Sequence, residues 1–220
     1  IDIPFKALGL KYPTDVECSI GAIFTKMWSP DYYPEGCPPS SSVSLHFDAT
    51  EKNNSPIQMT WSDGGIRPFH PDLLPADVSI EANGVIMIGE KGVITCDAYG
   101  DDPKLYRKGE PVIRGEKVKI SEPEFGHQRK WVDACKAGFD SVEHQALTSS
   151  FDYSGPLTET VLMGNIAIRS YMLTESEGKR RTNYIGRKKL LWDGNGMKIK
   201  NLDAANQFVG RTYRKGWELT

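Results

Sequence analysis

The sequence has no apolar run approaching the ~20 residues that a membrane-spanning helix requires, and no basic-then-apolar leader is visible at its start. It holds only four cysteines, Cys18, Cys37, Cys96 and Cys135, far apart and without a CxxC pair or Cys/His ligand spacing. That excludes a zinc ribbon or a thioredoxin-type redox pair. Free, buried thiols are expected instead, because Cys18 and Cys96 fall in strand-like alternation and Cys135 on a helix face. Neither sign of charge dominates: 27 Lys and Arg stand against 29 Asp and Glu, a net of −2, which leaves no electrostatic footprint for nucleic acid. GxSxG and HExxH are absent, and the four histidines are too scattered for a triad or metal site. In Gly84–Lys91 (GVIMIGEK) Glu90 stands where a P-loop needs Lys, and Gly194-Asn195-Gly196 lacks the third glycine of a dinucleotide fingerprint. No catalytic residue, metal ligand or cofactor contact is therefore assigned within the chain.

What is present reads as a globular core. Hydrophobic residues make up 39% of the 220 and aromatics 10%, enough for one large domain, expected to span residues 1–220. The opening IDIPFKALGLKYP has no Met, and the chain is expected to be a fragment of a longer polypeptide. A short helix is expected at Pro4–Leu10. Period-two alternation predicts strands at Val16–Phe24, Ser42–Ala49 and Ile57–Ser62, with a long proline-rich loop at Trp28–Ser41 between the first two. Gly84–Ile88 and Val93–Ala98 read as a hairpin about Gly89-Glu90-Lys91-Gly92. Tyr99–Glu124, charged and broken by Pro and Gly, is expected to be irregular.

Gly126–Ala137 predicts a helix with Trp131, Val132 and Cys135 on its packed face and Gly138 as its stop. Phe151–Leu173 gives the strongest helix signal. Ser154 is expected as its cap and Pro156 in its first turn, with Leu157, Val161, Gly164 and Ile168 as its apolar stripe. Gly164 costs roughly 1 kcal/mol against Ala in a helix, so its expected use is to let a sheet approach closely. Lys189–Trp192 and Met197–Ile199 form a second hairpin. Strands first and helices later, without a βαβ rhythm, predict an α+β fold: an open, mainly antiparallel sheet with helices packed on one face.

One loop offers binding chemistry. After the Trp61 strand, Ser62-Asp63-Gly64-Gly65 signals a turn, and Ile66–Pro75 carries Arg67, Phe69 and His70. Sugars present hydroxyls above weakly apolar C–H faces, so a site for them needs fixed hydrogen-bonding groups and an aromatic surface. Trp61 is the candidate platform, Arg67 and His70 the polar contacts, and Asp63 a holder of the turn or of a ligand hydroxyl. Tyr153, at the entry of the long helix, is a weaker candidate. His46, on the polar side of a strand, and His127, at a helix start, read as hydrogen-bonded structural residues.

The order of several motifs, Ile1–Pro13, MTWSDGGIRP (Met59–Pro68), GVIMIGEKGVITCDAYG (Gly84–Gly100), FDYSGPLTETVLMGN (Phe151–Asn165) and LLWD (Leu190–Asp193), resembles the C-terminal domain of the Gfo/Idh/MocA oxidoreductases. The resemblance spans nearly the whole chain. It implies that an N-terminal Rossmann domain, which would bind NAD(P), is missing here, and that this domain supplies substrate contacts and oligomer interfaces. The family's catalytic Lys lies in that Rossmann domain. Its catalytic His belongs to a segment whose last Asp aligns with Asp2, which places the His just upstream of Ile1. The implied function is the substrate-binding and assembly domain of an NAD(P)-dependent oxidoreductase acting on a sugar or polyol-like hydroxyl, inactive as a fragment. The implied assembly is a homo-oligomer through the sheet face bearing Ser42, Ser44, His46, Gln58 and Thr60. Two alternatives stand beside it: a redox-assisted glycoside lyase or hydrolase of the same family, and a non-catalytic carbohydrate-binding or scaffold module. The resemblance leaves the compartment open between bacterial cytoplasm and periplasm, with no membrane span.

Overall fold

A computed structural model describes residues 1–116, 123–175 and 182–218. In chain order the elements are α1 (Asp2–Leu8), β1 (Asp15–Ile20), β2 (Ile23–Lys26), β3 (Ser29–Asp31), β4 (Ser41–Phe47) and β5 (Ile57–Ser62). There follow β6 (Val85–Gly89), β7 (Gly92–Cys96), β8 (Lys104–Tyr106), β9 (Ile113–Arg114), α2 (Gly126–Ala137), α3 (Val142–Gln145) and α4 (Phe151–Ser170). The chain closes with β10 (Thr174–Glu175), β11 (Asn183–Tyr184), β12 (Leu190–Asp193), β13 (Lys198–Ile199) and a 3-10 turn at Asp203–Phe208. Every strand pairing among the described residues is antiparallel and no sheet closes on itself, so the fold is α+β with open antiparallel sheets. None of the described helices is long and apolar enough to cross a membrane.

The chain divides into two compact units. The first comprises Ile1, Phe5–Pro68 and Glu159–Thr220; the second comprises Asp2–Pro4 and Phe69–Thr158.

The first unit is built on a five-stranded sheet in the order β13-β12-β1-β4-β5. Along β4 the alternation written in the sequence is realised: Ser41, Val43, Leu45 and Phe47 are buried while Ser42, Ser44 and His46 are half-buried. Val16 pairs with Leu45 on one side and Leu190 on the other, and Leu45 pairs with Met59, so four strands contribute to one apolar row. A one-residue slip would turn that row outward, which pins the register. The part of α4 in this unit buries Thr160, Met163, Ile166, Ala167 and Ser170, and Gly164 faces Val43 of the sheet.

Four expectations are corrected, one of them, the start of α4, in residues of the second unit. The stripe expected on α4 is rotated: Val161 is 45% exposed and Thr160 fully buried. The helix carries apolar residues around more than half its circumference, so spacing alone did not fix which arc faces the sheet. The α4 helix also starts at Phe151, which makes Ser154 and Pro156 interior rather than cap and first-turn residues, and the proline has no N–H to give the Asp152 carbonyl four residues back. Strand β1 ends at Ile20 rather than Phe24: the Gly21 N–H still donates to the Ser40 carbonyl at 2.8 Å, the next partner in the β4 register, and beyond it the chain pairs with β3 instead of β4. Ile23 and Phe24 enter instead a separate β2–β3 ribbon, whose β3 lies inside the expected loop, with Trp28 at φ 62° in its turn.

The second unit holds a four-stranded sheet in the order β6-β7-β8-β9. Its first hairpin has Gly89 opposite Gly92 with Glu90-Lys91 as the turn, as expected. Strands β8 and β9 lie in the stretch expected to be irregular, whose residues 117–122 are outside the described ones. Leu74, Val93, Cys96, Tyr106 and Ala134 are buried. Helix α2 has the expected bounds and Gly138 follows it, but Ala134 and Gly126 are its buried residues, while Trp131 is 61% exposed and Val132 and Cys135 are exposed as well. The thiols thus do not form one class: Cys37 and Cys135 are exposed, Cys96 is buried and Cys18 half-buried. Burial, with Glu17 adding to it, pushes the Cys18 thiol up to about 12.

Candidate functional site

Of the five residues singled out for binding, Trp61, Asp63 and Arg67 belong to the first unit and His70 and Tyr153 to the second. Trp61 is the penultimate residue of edge strand β5, opposite Val43, and keeps 44% of its surface exposed. Its indole N–H donates to Asp63 Oδ2 at 3.0 Å. The other carboxylate oxygen, Oδ1, accepts from the backbone N–H of Ser41 at 2.7 Å and from its hydroxyl at 2.9 Å, and the Asp63 N–H donates to the Ser41 carbonyl. Asp63 therefore holds the turn, the first of its two expected roles, and in doing so fixes the ring of Trp61 at the sheet edge. Gly64, at φ 63°, allows the turn to pass Pro39 and Ser40 so closely that a Cβ would lie 2.2 Å from the Pro39 carbonyl oxygen.

Arg67 is exposed on the loop that follows, and Phe69 is 98% exposed. His70 is exposed and one ring nitrogen, Nε2, lies 3.0 Å from the Val78 carbonyl oxygen, which makes it the donor of that bond. Tyr153 donates its hydroxyl to the carboxylate of Asp2. Burial, together with that carboxylate, pushes the Tyr153 phenol up to about 12. At neutral pH it is a hydrogen-bond donor and not a base.

The open face of the first unit's sheet carries a group that sequence reasoning did not assemble. Asp15 on β1 and His46 on β4 are direct cross-strand partners, and Asp15 Oδ1 lies 2.5 Å from His46 Nδ1. A carboxylate there makes Nδ1–H the donor of this bond. Lys189 Nζ approaches the same oxygen at 3.5 Å and Glu17 at 3.9 Å. One strand over, Gln58 donates to Ser44 Oγ at 2.9 Å. This face is a lattice of oriented polar groups rather than a wet, unpaired surface. Alternation placed His46, Ser44 and Gln58 on it; the pairing with Asp15 depends on strand register, for which the sequence holds no local signal.

A second assembly in this unit was also missed. The guanidinium of Arg187 lies 3.5 Å from the ring centroid of Tyr184, 4.5 Å from that of Tyr171 and 5.4 Å from that of Tyr32. These residues come from the β10–β11 ribbon, the end of α4 and the loop after β3, and no spacing in the sequence connects them.

Among the described residues no cluster of His, Cys, Asp and Glu could hold a metal ion. A depression of about 390 Å³ is lined by Gln128, Arg129, Val132, Asp133 and Lys136, all from α2, and by none of the five candidate residues. No protein-family model matches the chain, and no curated protein matches it.

Proposed function

We propose that this chain is the substrate-binding and assembly domain of an NAD(P)-dependent oxidoreductase of the Gfo/Idh/MocA type, acting on a sugar or polyol-like hydroxyl. The observation that carries the reading is the Trp61–Asp63 pair: a half-exposed indole, held in place by a carboxylate whose own position is set by Ser41, within the MTWSDGGIRP motif on which the resemblance rests. An aromatic face fixed at a sheet edge, followed by an exposed Arg67, has the chemistry that a ring of C–H groups and hydroxyls requires.

In this reading the nicotinamide accepts the hydride and an upstream base removes the hydroxyl proton, while the residues present here bind and orient the substrate. The open face of the five-stranded sheet, with Asp15, His46, Ser44 and Gln58 in fixed geometry, is the proposed contact between copies. Exposed Ile23, Phe24, Met27 and Trp28 on the β2–β3 ribbon add an apolar surface of the kind that association covers.

The reading is tested in the complete polypeptide. Arg67→Ala and His70→Ala should each lower kcat/KM by the equivalent of roughly 1–3 kcal/mol with cofactor affinity unchanged. Parental kcat/KM in both variants would remove the loop from the site. The upstream coding sequence separates the enzyme from a carbohydrate-binding module: a strand–GxGxxG–helix opening followed by a Lys-Pro segment belongs to the enzyme, and a signal peptide joined directly to Ile1 belongs to the module.

A further inference from the structure

We infer that Arg187 and the tyrosines around it form a binding site for the oxyanion of a small ligand, a carboxylate or a phosphate, separate from the Trp61 loop and independent of nicotinamide chemistry.

The site is built from the backbone outward. Gly186, the residue before the arginine, is buried against the end of α4 so tightly that a Cβ would fall 1.7 Å from the Ser170 carbonyl oxygen. The Ile185 N–H donates to the Leu173 carbonyl at 2.9 Å and the Lys188 N–H to that of Gly186, also at 2.9 Å. The main chain before Arg187 is thereby tied to the C-terminal end of a 20-residue helix, where the helix dipole favours a cation, and Arg187 itself sits in a tight turn.

Tyr184, Tyr171 and Tyr32 then hold the head group. A guanidinium 3.5 Å from a ring centroid is stacked on the face of that ring, and the ring quadrupole attracts it. Tyr32 and Tyr171 also meet each other, with centroids 6.3 Å apart at 52°. Tyr32 is positioned by the turn after it, in which the Tyr33 N–H donates to Asp31 Oδ1 at 2.8 Å.

Stacking occupies the faces of a guanidinium and leaves its N–H edge, and that edge is what a bidentate oxyanion uses. No carboxylate among the described residues is within ion-pair distance of Arg187; the neighbouring Lys189 takes Asp15 and Glu17. Arg187 itself is exposed to solvent. An immobilised, charged fork with no carboxylate partner among the described residues loses little conformational entropy when a ligand arrives. The flat phenol rings beside it suit the carbon skeleton that carries the anion.

The experiment follows the side-chain Nε–Hε NMR resonance of Arg187 in the 220-residue chain, assigned through its loss in Arg187→Lys. Glucuronate, glucose 6-phosphate and glucose are titrated separately. Saturable movement of this resonance in the millimolar range or below with either anion, and none with glucose, is the expected result. Which anion binds more tightly distinguishes the carboxylate source from the phosphate source. In Arg187→Lys, followed through Trp and backbone resonances, affinity should fall about tenfold or more although the charge is kept, because the fork is lost. Tyr184→Leu, which preserves the arginine, should weaken the same anion. No saturable shift with either anion, an equal response to glucose, or undiminished binding by folded Arg187→Lys would overturn the site.

Discussion

The Cβ that Gly164 lacks would lie 3.6 Å from Cγ1 and 3.9 Å from Cγ2 of Val43, ordinary van der Waals contact rather than a clash. The glycine of α4 does face the sheet, as its position in the sequence implies, but the approach is not so close that a methyl group is excluded. Gly164→Ala should therefore stabilise the protein, by up to about 1 kcal/mol, the helix-propensity difference. Gly186→Ala should do the opposite, costing roughly 3 kcal/mol, because its Cβ would overlap the Ser170 carbonyl oxygen at 1.7 Å. Urea midpoints of the two variants measure both; a destabilised Gly164→Ala would show the helix packed tighter than these distances.

The cysteines should separate into two kinetic classes. A thiol reacts as its thiolate, so exposed Cys37 and Cys135 should consume a disulfide reagent quickly at mild alkaline pH, whereas Cys96 is buried and Cys18 is held near 12. Two rapid equivalents in the native protein and four after unfolding are expected. Four rapid equivalents in the native state would contradict the burial of Cys96 and Cys18.

Tyr153 sets a pH dependence at the alkaline end. The folded protein holds the phenol proton up to about 12, above the 10.0 of a free tyrosine, so the folded state binds that proton more tightly than the unfolded chain. The resulting stabilisation is complete below 10 and is lost as pH rises through the window from 10 to about 12. Urea midpoints of the parent and of Tyr153→Phe should therefore differ by a constant amount below pH 10 and converge above it. Tyrosinate absorbance adds a second check: removing Tyr153 should delete a step near 12, and deletion of a step near 10 would refute its pairing with Asp2.

Assembly through the open face is tested by charge. Gln58→Glu with Thr60→Glu places two carboxylates on edge strand β5, one of them where the bond to Ser44 is made. If copies meet there, sedimentation should show a smaller species than the parent, with far-UV circular dichroism unchanged. A monomeric parent, or an unaltered oligomer, would move the interface elsewhere, and the exposed β2–β3 ribbon would be the next surface to alter.

Period-two alternation made β4 legible to within two residues and β5 to the residue, since the pattern is local: β4 alternates buried and half-buried positions, and β5 buries Met59 between exposed Gln58 and Thr60. The helix bounds of α2 were equally legible from Gly138. Rotation was not: on α2 the single Trp131 outweighed Ala134 in any hydrophobic tally, yet the small residue is the one that packs. Strands β8 and β9, of three and two residues, are too short to show a period at all. In the candidate site the turn role of Asp63 followed from its place beside two glycines. The Asp15–His46 pair and the tyrosines around Arg187 are products of long-range register and of chain ends meeting, and local sequence carries neither.

The proposed function requires a nicotinamide to do its chemistry on a substrate held by this domain. The most direct measurement is the absorbance at 340 nm of nicotinamide bound to the complete polypeptide during a single turnover, when sugars and polyols are mixed with enzyme carrying NAD+ or NADP+. A rise at 340 nm in the complete protein, lost in Trp61→Ala, and no cofactor binding by the 220-residue chain alone is the predicted result. Micromolar binding of either cofactor to the isolated chain, or a complete polypeptide that neither binds nor reduces nicotinamide with any of these substrates, would contradict it.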